Sequence, residues 1–197
     1  MPLDRLETLF AKDLPDFAEV LRRFGSPPIR STATLGGNIA NGSPIGDSMP
    51  CLMALGAQLR LRRRGAKGQD ETRQVALDAF YTGQKKNLLQ PGEFIEAIDL
   101  PRPAGRAFRA HKISKRFDQD ISATCAAMSW RVEGGAADGS GGVLRDVRLA
   151  YNGLTPFPAR APKLEAVLDG RQPQDITPEA LDAAVTVKSL RANKVSG

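Results

Sequence analysis

Between Thr34 and Asp47 the chain reads TLGGNIANGSPIGD, a stretch holding four glycines, two asparagines and a Ser-Pro step. A turn needs one or two such residues, because one positive φ or one fixed Pro angle reverses a chain. The surplus has a chemical use. Gly36 and Gly37 lack Cβ atoms and let a ligand approach the main chain, and successive amides at such residues form a concave nest suited to phosphate oxygens. Asn38 and Asn41 add amide groups, and Thr34 and Ser43 add hydroxyls. The carboxylate of Asp47 repels a diphosphate, but it accepts from a sugar hydroxyl or a base, or caps a helix. Residue types alone leave two readings open: one wall of a ligand site, or a tightly folded structural loop. Neither G-x-G-x-x-G in a βαβ setting nor G-x-x-x-x-G-K-[ST] is present.

Other reactive side chains are sparse. Cys51 and Cys125 have no Cys or His at ligand spacing, which excludes a zinc or iron–sulfur site built from this chain alone, and they read as buried thiols. His111, the single histidine, has no neighbouring nucleophile and is expected partly buried in a structural role. No metal ligand set and no catalytic acid, base or nucleophile is expected. The densest charge is RLRRRGAKG at 60–68, in a chain of net charge +6. Clustered arginines suit nucleic-acid phosphates, but alternation around Leu59 and Leu61, breaks at Gly65 and Gly68 and the lack of interleaved aromatics suit the exposed end of a β-hairpin.

The elements that must position the glycine segment follow from periodicity and caps. The 197 residues, 41% apolar and 25% charged, suffice for one domain or two small ones. No apolar run approaches the roughly 20 residues of a membrane helix, and MPLDRLETLF carries acids where a secretory signal is basic then apolar, so a cytoplasmic location is expected. Leu14, Phe17, Ala18 and Leu21 predict a helix over 14–24, with Arg22 and Arg23 suiting the negative end of its dipole. Pro27-Pro28 predicts a stop and an extended approach from Ile29 to Leu35. Asp47 or Ser48 caps a short helix that Gly56 ends. Strands are predicted at 57–63, 72–76 and 94–100, with a capped turn at Asp78, a Pro-Gly turn at 91–92 and a seam near 103. Beyond it, FRAHKISKR, ISATCAAMSWRV and GVLRDVRLAYNGL predict a three-stranded antiparallel sheet, with a loose connection at 134–142 and Trp130 on a sheet face. Helices follow at 161–168 and, capped by Thr177, at 178–184.

FGSPPIRSTATLGGNIANGSPIGDSMPCLMALGAQL, then KKNLLQPGEFIEAIDLP and KISKRFDQDISA, closely resemble the second lobe of the PCMH-type FAD-binding domain of molybdenum hydroxylases, above all the small FAD-binding subunits of the xanthine dehydrogenase type. Roughly the last ninety residues resemble the CO dehydrogenase flavoprotein C-terminal domain. The resemblance implies an α+β fold: residues 1–103 as the second lobe, a mixed sheet with helices, and 104–197 as a small α+β domain. It implies FAD as cofactor, with Phe24 bordering the flavin and Thr34, Gly36, Gly37, Asn38, Asn41 and Ser43 around the diphosphate. It places Asp47 on the adenosine ribose side, Ile95 at adenine or flavin, and Lys112 in the site from the first strand of the second domain. Arg116, Asp118 and Asp120 fall in the flavin-proximal loop. Asn41 and Gly46 stand where relatives often carry threonine and serine.

Family members of this type oxidise purines or other heteroaromatics at a molybdenum cofactor on a large subunit, pass electrons through two [2Fe-2S] clusters, and deliver them from FAD to NAD+. The implied partners are the molybdenum subunit and a segment carrying the clusters and first FAD lobe, in a hetero-oligomer without nucleic acid or membrane. Against that pattern the chain is expected to be a truncated or split piece, inactive alone. The alternatives are a non-catalytic assembly module of the same complex and, more remotely, a basic nucleic-acid-binding protein.

Overall fold

The computed structural model describes residues 1–135 and 141–184; the connection at 136–140 and the chain end SLRANKVSG lie outside them. Five short helices come first: α1 (Leu3–Phe10), α2 (Pro15–Arg22), α3 (Pro27–Thr32), α4 (Leu35–Asn41) and α5 (Ser48–Leu55). Pro15 opens α2, and Gly56 ends α5 in the left-handed region at φ 77°. The extended run expected from Ile29 to Leu35 is corrected. Pro27 and Pro28 start α3 instead of blocking a helix, because first-turn amides need no intrahelical partner and proline φ is already helical. The glycine segment is itself partly helical. Thr34 Oγ1 accepts from the Gly37 amide at 3.1 Å, and burial of Leu35 and Ile39 outweighs the poor helix propensity of Gly36-Gly37.

β1 (Gln58–Arg64) forms a hairpin with β2 (Asp70–Ala76) and pairs on its other side with β5 (Phe94–Asp99), both antiparallel in place of the mixed sheet expected. A 3-10 turn at Leu77–Ala79 and a ribbon of β3 (Tyr81–Gly83) and β4 (Lys86–Asn87) lie between. The arginine run sits on this hairpin. Arg62 pairs with Asp70 and with Glu96 at 2.7 Å, Arg63 with Glu71 at 2.7 Å, and Arg60 with Glu96 at 3.4 Å, so the run is largely neutralised within its own sheet.

The second sheet runs β6 (Ala107–Ser114), β7 (Ser122–Glu133), β8 (Val143–Tyr151) and β9 (Ala159–Arg160) in sequence order, antiparallel, adding a short fourth strand to the three expected. α6 (Pro162–Leu168) and α7 (Pro178–Ala184) follow, and Thr177 Oγ1 accepts from the Ala180 amide at 3.3 Å. Side chains of α2 occupy the outer edge of β6: Asp16 accepts from the Ala110 amide at 3.2 Å, and Arg23 donates to the Lys112 carbonyl at 3.0 Å. Two of this edge strand's main-chain groups are thereby satisfied.

All eight residues of α5 are buried, as suits a helix apolar on every side. It packs against α2 and α4 and against β7 and β8, so that Phe17, Leu21, Leu52 and Leu59 share one core with Phe108, Cys125, Ala127 and Ala150. A smaller cluster of Leu144, Val147, Leu149 and Ala161 packs with half-buried Trp130 and with Leu164 and Leu168 of α6. Cys51 and Cys125 are both fully buried free thiols. His111 is exposed, correcting its expected burial: it alternates along β6 with buried Ala110 and Lys112 and points to the other side. Among the described residues no helix is long and apolar enough to cross a membrane.

Candidate functional site

The start of α4 faces β5 across a groove of about 630 Å³. Thr34, Gly36 and Gly37 line one side and Glu93 to Ile98 the other, with Met1, Leu6 and Leu89 adding apolar surface. A Cβ built on Gly36 would have the Ile95 carbonyl oxygen, at 4.0 Å, as its nearest neighbour. Any side chain at Gly36 would therefore occupy space between the two walls. Gly37 is small for a second reason, since its Cβ would lie 3.1 Å from Thr34 Oγ1, the atom that caps the helix.

Helix formation uses most of the amides expected to form a nest. The Leu35 amide donates to the Met1 carbonyl at 3.2 Å, that of Gly37 to Thr34 Oγ1, and that of Asn38 to the Thr34 carbonyl at 2.9 Å. The Gly36 N–H has no partner among the described residues. The remaining donors are side chains: the Thr34 hydroxyl, the Asn38 amide and the exposed amide of Asn41. Asn38 Oδ1 accepts from Ser48 Oγ at 2.6 Å, which ties α4 to the start of α5. Ser43 is half-buried, its Oγ accepting from the Ile45 amide at 3.4 Å.

Asp47 and Lys112 meet each other, 65 residues apart in sequence, and neither lines the groove. Lys112 Nζ donates to Asp47 Oδ2 at 2.6 Å and to Ser122 Oγ at 2.9 Å, while Asp47 Oδ1 accepts from Ser122 Oγ at 2.6 Å and Asn152 Nδ2 at 2.9 Å. Both side chains are almost fully buried. Such a pair is sustained only because further hydrogen bonds satisfy each ion, and removing one partner strands a charge. Ser122 and Asn152 carry no sequence signal for this role, because their partner lies in another segment.

On the β5 wall, Arg73 grips Glu93 with two nitrogens, each 2.7 Å from a carboxylate oxygen, and the Gln90 amide donates to the same carboxylate. The Arg73 hydrogen bonds, above all, pull the Glu93 carboxyl down to about 2. The groove thus carries a permanent carboxylate on the strand side. Sequence reasoning named only Ile95 on this wall. Glu93, Phe94 and Ile98 join it because β5 is an edge strand whose neighbour on the open side is α4.

Phe24, just beyond α2, is half-buried against the main core, and Arg30 holds its carbonyl at 3.2 Å and that of Gly25 at 3.0 Å. Arg116, Asp118 and Asp120 lie in the β6–β7 connection. There Asp120 accepts from the Arg116 amide at 2.9 Å and pairs with its guanidinium at 3.5 Å, bonds that lower the Asp120 carboxyl below its ordinary range. Neither Phe24 nor these three residues line the groove. The structure therefore assembles Thr34, Gly36, Gly37 and Ile95 in one place and distributes the other expected residues around it.

Comparison with known proteins adds a second line. A model of the FAD binding domain in molybdopterin dehydrogenase matches residues 1–103, and one of the CO dehydrogenase flavoprotein C-terminal domain matches residues 109–193. Nicotinate hydroxylase of Emericella nidulans is 32% identical over 162 residues, covering 81% of this chain and 11% of that protein. Xanthine dehydrogenase/oxidase of Gallus gallus is 35% identical over 155 residues, covering 78% and 11%. Among solved structures, carbon monoxide dehydrogenase from Hydrogenophaga pseudoflava superposes with a TM-score of 0.78 at 27% identity, covering 95% of this chain and 61% of that one. The CO dehydrogenase of Oligotropha carboxidovorans gives 0.77 at 28% identity with the same coverage. The chain thus spans about a tenth of the length of these curated relatives and about three fifths of the solved chains.

Proposed function

The chain belongs to the family of FAD-binding domains of molybdopterin dehydrogenases, and from that premise we propose that it supplies one wall of an FAD site in a xanthine dehydrogenase-type hydroxylase. The observation that carries this reading is the opening at Gly36, where the absent Cβ leaves room between the α4 start and β5. When bound, FAD would supply the redox chemistry of electron transfer between iron–sulfur clusters and NAD+. This chain's residues bind and orient. The Gly36 amide and the Thr34 hydroxyl would donate to the diphosphate, with the side chains of Asn38 and Asn41 on the same helix as further donors, and Ile95 would offer apolar and main-chain contact to a ring. The Glu93 carboxylate keeps the diphosphate on the helix side by repulsion. Asp47 and Lys112 act at the start of α5 as a buried pair that holds residues 1–103, the lobe, against the first two strands of the second domain. Ser43 shapes the turn after α4, while Phe24, Arg116, Asp118 and Asp120 stand at the flavin end.

The molybdenum and iron–sulfur centres, and the oxidation of a purine or other heteroaromatic, belong to partner polypeptides in a cytoplasmic hetero-oligomer. Four charge-assisted hydrogen bonds at about 1.5–3 kcal/mol each give roughly 6–12 kcal/mol. Immobilising a ligand costs about 4–15 kcal/mol. One wall therefore binds FAD weakly and requires the complementary lobe. The chain purified alone is expected to lose flavin on desalting, and to gain flavin absorbance when mixed with a polypeptide carrying that lobe. A mixture that stays colourless contradicts the proposal.

A further inference from the structure

The two walls of the groove are joined by a residue that lines neither. At the end of α4 the Ile39 carbonyl accepts from the Gly42 amide at 3.1 Å, but Ala40 is followed four positions on by Pro44, which has no N–H to close the next helical bond. The missing donor comes from the β3–β4 ribbon. Asn87 Nδ2 donates to the Ala40 carbonyl at 3.1 Å, and beside it the Tyr81 hydroxyl donates to the Ile39 carbonyl at 2.8 Å.

Asn87 spends its other amide atom on the opposite wall, where Oδ1 accepts from the Leu89 amide at 3.0 Å. Ala40 lies one turn from Gly36 on the same face of α4, Leu89 leads into β5, and both line the groove. A carboxamide carries a donor and an acceptor together, so one half-buried side chain bonds the helix side and the strand side at once. The strand side is itself anchored. Arg73 holds the Leu88 carbonyl at 2.5 Å as well as the Glu93 carboxylate, the Leu88 amide donates to the Phe80 carbonyl at 3.0 Å, and Arg63 donates to Gln90 Oε1 at 2.8 Å. The turn before β5 is thus fixed to the first sheet. Helix α4 buries only Leu35 and Ile39, and it is the wall that needs holding.

Resting on the flavin site proposed above, we infer that Asn87 is a positioning residue that ties the end of α4 to the turn before β5 and so sets the width of the groove open to the nucleotide. A groove held at its working width before the ligand arrives saves the cost of ordering it on binding. The asparagine acts through Ala40 and Leu89 and does not itself touch the cofactor.

The tie is tested on the folded chain by amide hydrogen exchange, read by mass spectrometry over peptides covering 36–42 and 87–95. Exchange at these amides reports local opening of each wall. Asn87→Ala removes both bonds and is expected to speed exchange in both peptides about fivefold or more. Asn87→Asp keeps the acceptor for the Leu89 amide but sets a carboxylate oxygen against the Ala40 carbonyl, so it should speed exchange in 36–42 with Leu89 still protected. Unchanged exchange in 36–42 in Asn87→Ala, or in Asn87→Asp where the alanine variant fails to fold, overturns the tie. In the flavin-loaded complex, Asn87→Ala is expected to raise the Kd for FAD about fivefold or more, with the turnover per bound flavin retained. Leu52→Ala, which weakens the core and leaves the tie in place, should keep the wild-type Kd. An unchanged Kd in Asn87→Ala, or an equal rise in both variants, overturns the link to flavin binding. A wild-type complex that holds no flavin overturns the site proposed above and this link together, while the exchange result still decides whether Asn87 joins the walls.

Discussion

Arg73 and Glu93 set one face of the groove, and their bond gives the fold a specific acid response. The Glu93 carboxyl is held at about 2 against an ordinary 4.5. A carboxylate depressed on folding stabilises the native state fully above its unfolded value, and that contribution is lost as pH falls through the folded value. Glu93→Gln is therefore expected to cost about 1 kcal/mol at neutral pH, the bond being partly solvent-screened. The gap between the urea midpoints of variant and wild type should close as pH falls from 4.5 toward 2; a gap that stays constant over this range contradicts the assignment. The sequence marks Glu93 only as the residue after a Pro-Gly turn, and Arg73 stands 20 positions away on another strand. Arg23 was masked differently. A basic residue at a helix end already has a sufficient explanation in the dipole, so its long-range use leaves no separate trace in the sequence. Asp47 shows the reverse. Its type announced a role, while its partners Lys112, Ser122 and Asn152 decided that the carboxylate is spent inside the protein.

At the scale of elements, the hairpin of β1 and β2 and the helix α5 were legible because their signals are local: alternation broken by glycines in one, a polar start and Gly56 in the other. The helices α3 and α4 were not. A Pro-Pro pair reads as a stop although it suits a first turn, as in α3, and a Gly-Gly pair lowers helix propensity, so that in α4 the Thr34 cap and the burial of Leu35 and Ile39 tip the balance. Pattern also stopped short of the environment of α5, which packs on both sides. Leu52, fully buried in that helix, is expected to cost about 2–5 kcal/mol when replaced by Ala, measured by chemical denaturation. A loss below about 1 kcal/mol would show that α5 is not the packed centre of the core.

For the whole molecule, the main core is shared between the segments matched by the two family models. Phe17, Leu52 and Leu59 from the first share a cluster with Cys125, Ala127 and Ala150 from the second, and the Asp47–Lys112 pair bridges them. Chains whose parts share a core unfold together. A single thermal transition, coincident by circular dichroism and by Trp130 fluorescence, is expected, and two resolved transitions would contradict a shared core.

Local periodicity and short-range caps determined the β1–β2 hairpin, the three long strands of the second sheet and the positions of α2, α5, α6 and α7, since each depends on residues within a few positions of one another, while the α+β fold and the identity of the glycine segment came from the likeness of whole motifs to a family. Tertiary packing alone decided which side of that segment opens on β5, which of its amides remain available, and that Asp47 and Arg23 are committed to the second segment. Those outcomes depend on groups tens of residues apart whose meeting is set by the burial of α5, a constraint that no local pattern contains.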